Sequence, residues 1–394
     1  MSNKSPNDKS RKNKRHIVVV DPTAFSGGSK VATESILQLL DKKTRRITVL
    51  TADKNSWLSN HKSAPKIKRV KLFEPKWLAQ KEQGIGYFLR HVFIAFHLLL
   101  VRLRFGRFDI ALGASGPGVD LALYLLRPLM KFPIIQLIHG PVAKSRTIAR
   151  CLKVAQQVHY LQSSLDSLTT ALTTIERVET ELPAHFHLLQ NGLSEQQWPT
   201  TCQYHTPIVF WAASLLKWKG LDTLLEALKS ITATQRPAAH ICYIKPQGVQ
   251  LPISKAPIKI EQVHWFESPE NIDSIRCSAN IFVSTSKNEP FGLSILEAMA
   301  AGQCVLIPAD GAYWDLVLKN NVNCLKYKAD DASDLKNKIE MLSKDISLVS
   351  RLGSQAADLA INYRASKKYK NIVDSISSLA EGETNEKSLI RNFL

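Results

Sequence analysis

The sequence predicts an α/β protein built from two doubly wound domains, and three observations lead there. The chain has 394 residues, more than one ordinary core accommodates. Short apolar runs followed by turn or helix signals recur along both halves, the signature of βαβ units and parallel sheets. A polar stretch with one proline, Ser194 to Thr206, interrupts that series, after which it starts again.

The first domain opens with a strand, His16 to Asp21, then a loop with Gly27-Gly28, a helical pattern from about Ser29 to Leu40, and a strand at Arg46 to Leu50. Further strands are predicted at Asp109 to Leu112, Ile134 to Ile138, Val158 to Leu161 and His187 to Gln190. The second domain repeats the scheme. A strand at Ile208 to Ala212 leads through Lys219-Gly220 into an amphipathic helix, Leu221 to Ile231, and strands follow at Ala239 to Ile244, Gln262 to Phe266, Ile281 to Ser284 and Val305 to Pro308. The expected division is a basic disordered N-terminus (1–15), a first domain (16–195), a linker (196–206), a second domain (207–362), and a C-terminal helix and polar tail (363–394) able to pack back on the first domain. In such sheets ligands sit outside the carboxyl ends of the strands.

The apolar fraction of 44% and charged fraction of 22% are those of a globular protein. Six scattered cysteines include no CxxC pair, so neither a zinc site nor a disulfide framework is indicated, and a reduced cytoplasmic setting is expected. The apolar run at Ile17 to Val20 is too short for a signal peptide, and the one at Val92 to Val101, broken by His97 and flanked by arginines, reads as too short for a membrane span. The net charge of +18 is concentrated in residues 1–200, which hold 30 Lys+Arg against 14 Asp+Glu; residues 201–394 hold 22 against 20. Residues 66–107 interleave ten basic residues with aromatics such as Phe73, Trp77, Tyr87, Phe88, Phe93 and Phe96. That pattern suits an anionic membrane surface or single-stranded nucleic acid; the plainer alternative is a core helix with a solvated basic face.

The most informative motif is Asn288 to Gly302 (NEPFGLSILEAMAAG). It sets Glu289 and a Phe291-Gly292 turn ahead of a short apolar helix through Leu293 and Ser294, with Glu297 further along. A helix start offers free N–H groups and partial positive charge, which suits a phosphate. The two carboxylates are placed to hold two parts of one ligand. Against this, Ser294 to Glu297 also matches a capping box, which would make Glu297 a helix-starting device. A hydrolase pair is disfavoured: eight helical residues cover about 12 Å, beyond the roughly 5–9.5 Å of two-carboxylate glycosidases. Lys217 and Lys219 follow the first strand of the second domain and can balance a diphosphate, or be solvated turn lysines. His139 ends the strand Ile134 to Ile138 and can hydrogen-bond a sugar hydroxyl, or be structural. Gly27-Gly28 lets backbone approach a ligand, or is simply a βα turn; GxGxxG spacing is absent.

Together these segments resemble a family 4 glycosyltransferase of the two-domain GT-B fold. Glu289-Pro290-Phe291-Gly292-Leu293 with Glu297-Ala298-Met299-Ala300-Ala301-Gly302 is similar to that family's E-x7-E signature, and Ala213 to Gly220 (ASLLKWKG) to its GRLxxxKG element. Gly27-Gly28, His139-Gly140, Asn191-Gly192 and Asp310-Gly311 fall where the family has like residues. The resemblance spans nearly the whole chain and is strongest from Ile208 to Leu325. It implies two Rossmann-like domains facing across a cleft and a retaining sugar transfer from a nucleotide-sugar donor. Carried over, Glu289 would bind donor-sugar hydroxyls and Glu297 the ribose. N–H groups around Phe291 to Ser294 would hold sugar and diphosphate. Lys219 would neutralise the leaving diphosphate, His139 would touch the sugar, and Trp265 or Phe266 would lie beside the base. Two departures stand out. Ala213-Ser214 replaces the family's Gly-Arg, so that either Lys217 supplies the missing charge or the donor grip is altered, and Lys245-Pro246-Gln247-Gly248 replaces a glycine-rich turn. No DxD pair is present, so no metal or other cofactor is expected. The basic first half would meet a glycan or lipid-linked acceptor at the inner face of the cytoplasmic membrane, as in bacterial surface-polysaccharide assembly. Three rivals remain open at this stage. One is a nucleic-acid- or membrane-binding protein without transferase activity, although no nucleic-acid reading element is visible and no such partner is expected. The others are a nucleotide-sugar epimerase on the same fold and an inactive scaffold.

Overall fold

The computed structural model describes residues 14–23, 27–53, 57, 65–81, 83–176, 182–246 and 251–381. The expected disorder of the N-terminus (apart from its last two residues), Glu82, the Gln247-Gly248 turn and the polar tail beyond 381 lie outside the described residues. The chain forms two compact units, Met1–Gln190 with Tyr369–Leu394, and Asn191–Lys368.

The first unit holds a seven-stranded sheet: β1 (Arg15–Asp21), β2 (Arg45–Thr51), β3 (Ile67–Lys71), β4 (Ile110–Gly113), β5 (Ile134–Ile138), β6 (Gln157–Tyr160) and β7 (Phe186–Leu188). Their order is β3-β2-β1-β4-β5-β6-β7. All neighbours are parallel; Ile17, for instance, pairs with Ile47 on one side and Ile110 on the other. The central strands are mostly apolar because helices cover both faces, and Ile17, Val18, Val19 and Val20 are all fully buried. Strand β3 was not anticipated. Its Ile-Lys-Arg-Val-Lys sequence is mostly charged and half exposed, as an edge strand protected from further pairing should be. Helix α1 (Gly28–Gln38) follows β1 and helix α2 (Gly84–Phe105) precedes β4. The apolar run Val92 to Val101 read as too short for a span, but the helix containing it has 22 residues and is long and apolar enough to cross a membrane by length and composition. The extra length comes from Gly84 to His91, whose aromatic and apolar residues continue the helical pattern, and from Arg102 to Phe105.

The second unit holds β8 (Ile208–Ser214), β9 (Ala238–Ile244), β10 (Val263–Glu267), β11 (Ile281–Val283), β12 (Cys304–Ala309) and β13 (Leu325–Lys328), ordered β10-β9-β8-β11-β12-β13 and all parallel. Helix α3 (Leu221–Ser230) follows β8 and helix α4 (Leu293–Ala300) lies between β11 and β12. The stretch read as a linker is fastened to this unit. Cys202 is buried and donates its N–H to Ala301 O at 2.8 Å, and Thr200 Oγ1 donates to Asp273 at 2.7 Å. The unit boundary therefore falls before Asn191, and the return falls after Lys368. Leu193 and Arg364 lie side by side, with Leu193 N–H donating to Tyr363 O at 2.9 Å and Ala365 N–H to Leu193 O at 2.7 Å. The final helix, Lys370–Glu381, groups with the first unit, where Ile372 and Ile376 are buried and Arg45 Nη2 donates to Ser377 O at 3.3 Å. All six cysteines are free.

In each sheet the order reverses between two neighbouring strands, β1/β4 and β8/β11. The loops leaving their carboxyl ends diverge there and open a crevice, the usual ligand position in this architecture.

Candidate functional site

At the β8/β11 crevice the loop after β8 carries Lys217-Trp218-Lys219 as one 3₁₀ turn, and Gly220 then opens helix α3 with φ 71° and ψ 21°. Glycine is required here twice over. The left-handed backbone disfavours a side chain, and a Cβ would sit 1.9 Å from Thr285 O in the loop after β11. The two loops are stitched at that approach. Trp211 Nε1 donates to Thr285 Oγ1 at 3.0 Å, Thr285 Oγ1 donates to Lys219 O at 2.9 Å, and Lys287 N–H donates to Trp218 O at 2.9 Å.

This stitching brings Lys219 to Glu289. The Lys219 Nζ–Glu289 Oε2 distance is 2.5 Å, with side chains only 17% and 13% exposed. The ammonium also lies 4.0 Å over the Trp218 ring. Glu289 precedes the turn that ends in Gly292, at φ 80°, where an added Cβ would meet Ile295 Cδ1 at 2.9 Å and Glu289 Cγ at 3.1 Å. Helix α4 begins at Leu293 with Gly292 as its N-cap, and no side chain caps it. Helix-start N–H groups without a capping side chain remain able to meet an anion. Phe291 does not offer its ring to a ligand. It is buried with Tyr313, Trp314 and Tyr363, while Trp314 Nε1 donates to Gly292 O at 3.2 Å, so the aromatic cluster braces the turn from behind. Ser286, Asp310 and Trp314 line a small recess with Glu289, and Asp310 accepts the Asn288 N–H at 3.0 Å.

Glu297 is not the partner of a capping box. Because Gly292 is the N-cap, Ser294 lies inside the first turn and Glu297 inside the helix. Its carboxylate instead meets Arg276 Nη2 at 2.6 Å, and Arg276 Nη1 also holds Asp273 at 3.0 Å. Burial pushes the Glu297 carboxyl above the usual range while the Arg276 guanidinium opposes that shift. Sequence reading missed Arg276. Its one local signal was the i, i+3 spacing to Asp273, which says nothing of Glu297.

The remaining expected donor contacts are more dispersed. Ser214 ends β8, half-buried, paired with Ile244 of β9. Lys217 is held by Asp222 at 3.0 Å in an exposed pair, and Asp222 also accepts from Ser254 at 2.6 Å, so Lys217 is separate from the Lys219–Glu289 pair. Trp265 and Phe266 are successive residues of edge strand β10 and face opposite sides of the sheet, Trp265 against Tyr243 and Phe266 against His240. At most one of them can stand beside a ligand.

In the first unit, Gly27 caps α1 with extended backbone and Gly28 begins the helix. Behind this loop Lys30 Nζ is 3.0 Å from Asp21 Oδ2, both nearly inaccessible, and Asp21 also accepts from Thr51 and Trp57, each at 2.9 Å. His139 follows β5. Both its ring nitrogens are buried without a partner among the described residues, and burial lowers its pKa to about 4, so it is a neutral imidazole rather than a solvated cation. Asp120, not anticipated, is fully buried after β4. Its Oδ2 accepts from Ser115 N–H at 2.9 Å and Gln136 Nε2 at 2.8 Å, its Oδ1 has no partner, and burial raises its pKa to about 7.

Residues 195–359, which include Lys219, Glu289 and Glu297, match the family model described as Glycosyl transferases group 1. A curated relative is the N,N'-diacetylbacillosaminyl-diphospho-undecaprenol alpha-1,3-N-acetylgalactosaminyltransferase of Campylobacter jejuni subsp. jejuni serotype O:2. It is 32% identical over 101 residues, a match spanning 26% of this chain and 27% of that protein. Among solved structures, Anabaena HepE in complex with UDP-glucose superposes with a TM-score of 0.68 at 17% identity, covering 92% of this chain and 99% of its own. WaaG, a glycosyltransferase involved in lipopolysaccharide biosynthesis, gives 0.64 at 14% identity, covering 91% and 99%. The GT-B fold expected from the sequence is the fold this chain shares with them.

Proposed function

We propose that the protein is a family 4, retaining glycosyltransferase that moves a sugar from a nucleotide-sugar donor to a glycan or lipid-linked acceptor in bacterial surface-polysaccharide assembly. The observation that carries this reading is the Lys219–Glu289 pair, held at the β8/β11 crevice beside an uncapped helix start. The Anabaena neighbour is described with UDP-glucose and the Campylobacter relative acts on a diphospho-undecaprenol, which supports a nucleotide-sugar donor and a lipid-linked acceptor.

The chemistry follows from charge. As the sugar–phosphate bond breaks, negative charge grows on the leaving diphosphate. Lys219 and the N–H groups at Gly292 to Ser294 meet that charge, and their grip tightens as it develops. Glu289, released from Lys219 by the diphosphate, orients sugar hydroxyls, and Glu297 meets the ribose. His139, neutral, donates to or accepts from a sugar hydroxyl. The acceptor hydroxyl attacks from the face the diphosphate leaves, and its proton passes to the departing phosphate oxygen. This reading assigns the leaving-group charge to Lys219 and the helix start, with no role for a metal. The enzyme would work at the inner face of the cytoplasmic membrane, its basic first half turned to an anionic surface.

A thermal-shift panel of nucleotide sugars, run on wild type and Glu289→Ala, tests this. One donor should stabilise wild type and lose that effect in the variant; no stabilisation by any nucleotide or nucleotide sugar sinks the proposal.

A further inference from the structure

Helix α2 has two apolar faces. One packs into the first unit's core, where Ile94, Leu98 and Val101 are buried. The other is open. Phe88, Val92, Phe96 and Leu100 are 50%, 45%, 55% and 45% exposed, and the stripe runs from Ile85 at 81% to Leu103 at 75%. At about 100° per residue these positions form a stripe roughly 120° wide, opposite the core face. A soluble surface helix carries polar residues there. Phe73 and Trp77, exposed at 71% and 65%, add to the open apolar surface near the helix start.

Cations border this face. Lys68 and Lys71 of β3, with Arg104, His97 and Leu100, line a groove of about 400 Å³ beside it. Lys68 Nζ lies 4.0 Å over the Phe105 ring, a cation–π contact that holds its charge at the edge of the apolar face. Among the described residues of this segment the acid is Glu74, and Arg90 occupies it at 2.5 Å.

We propose that this face docks on an anionic phospholipid bilayer, with the stripe from Ile85 to Leu103 set into the acyl boundary and Lys68, Lys71 and Arg104 at the level of the headgroup phosphates. The helix lies in the surface rather than crossing it, because its other face belongs to the core. A second copy of the chain is a poorer occupant: a two-fold contact would bring the same cationic border against itself. The inference rests on the membrane-acceptor reading and gives it a surface.

The test uses the full chain and vesicles of phosphatidylcholine with or without phosphatidylglycerol, sedimented at low and high salt. Wild type should bind the phosphatidylglycerol vesicles and keep part of that binding at high salt, since the apolar contact is not screened. Phe88→Asp/Phe96→Asp should bind at least tenfold more weakly, with its melting temperature and its stabilisation by UDP-glucose unchanged. Lys68→Gln/Lys71→Gln/Arg104→Gln should lose the preference for phosphatidylglycerol. The proposal is overturned if wild type ignores anionic vesicles or if the Phe88/Phe96 variant binds like wild type. It is equally overturned if sedimentation equilibrium shows a dimer that this variant dissociates while vesicle binding persists. Vesicle binding without stabilisation by any nucleotide sugar would uphold the docking face and discard the transferase reading.

Discussion

Replacing Gly220 by alanine tests how the two crevice loops are held. The left-handed backbone costs an L-residue about 1–2 kcal/mol. The new Cβ would also lie 1.9 Å from Thr285 O, so backbone must retreat by more than an ångström. Overpacking of that kind costs about 1–3 kcal/mol. Together the loss should be about 2–5 kcal/mol, with the Thr285–Lys219 bond broken and donor stabilisation weakened. Gly311 is the control: its φ is +77° but a Cβ there meets open space, so alanine should cost only the backbone part. Urea unfolding followed by fluorescence measures both, as midpoint shifts at constant slope. Equal losses for Gly220→Ala and Gly311→Ala would refute the argument that close approach, rather than backbone handedness, makes Gly220 necessary.

Lys219→Met should cost about 1–3 kcal/mol by leaving the half-buried Glu289 charge unpaired, and Lys219→Met/Glu289→Gln should recover part of it; additive losses in a double-mutant cycle would refute the pairing. Arg276→Met should destabilise by about 2–4 kcal/mol at pH 8 and by less at pH 5, where the Glu297 carboxyl, already shifted upward, takes up a proton; a pH-independent loss would contradict this. Burial raises the Asp120 carboxyl from the ordinary 3.8 to about 7, so its contribution to stability is intact below about pH 4 and is lost progressively as pH rises to 7. Asp120→Asn should therefore gain stability relative to wild type between pH 4 and 7, up to about 4 kcal/mol at roughly 1.4 kcal/mol per pH unit, and keep a constant advantage above pH 7; a flat difference in urea unfolding from pH 4 to 7 would exclude it.

How much of this could be read from the sequence follows from burial. Central strands such as β1 show themselves as apolar runs, here Ile17 to Val20, because both faces are covered. Edge strands β3 and β13 did not, since Ile67–Lys71 and Leu325–Lys328 keep lysines on their open sides. The Glu289 turn was readable because proline, phenylalanine and glycine punctuate it. Glu297 was ambiguous because serine three residues upstream fits a cap as well as a helix interior, and only the left-handed Gly292 decides between them. Arg276 and Asp120 were invisible as functional groups. Their significance comes from partners 21 and 16 residues away, which no local pattern records.

The paired passage of the chain at Leu193 and Arg364 has a mechanical consequence. The second unit is an insertion whose first and last residues are tied by one bridge, with Gly192 pressed so closely on Tyr363 that a side chain there would strike its carbonyl. A cut just ahead of Asn191 would leave the second unit covalently joined to the final helix alone, so the packing of Ile372 and Ile376 in the first unit would hold the fragments together.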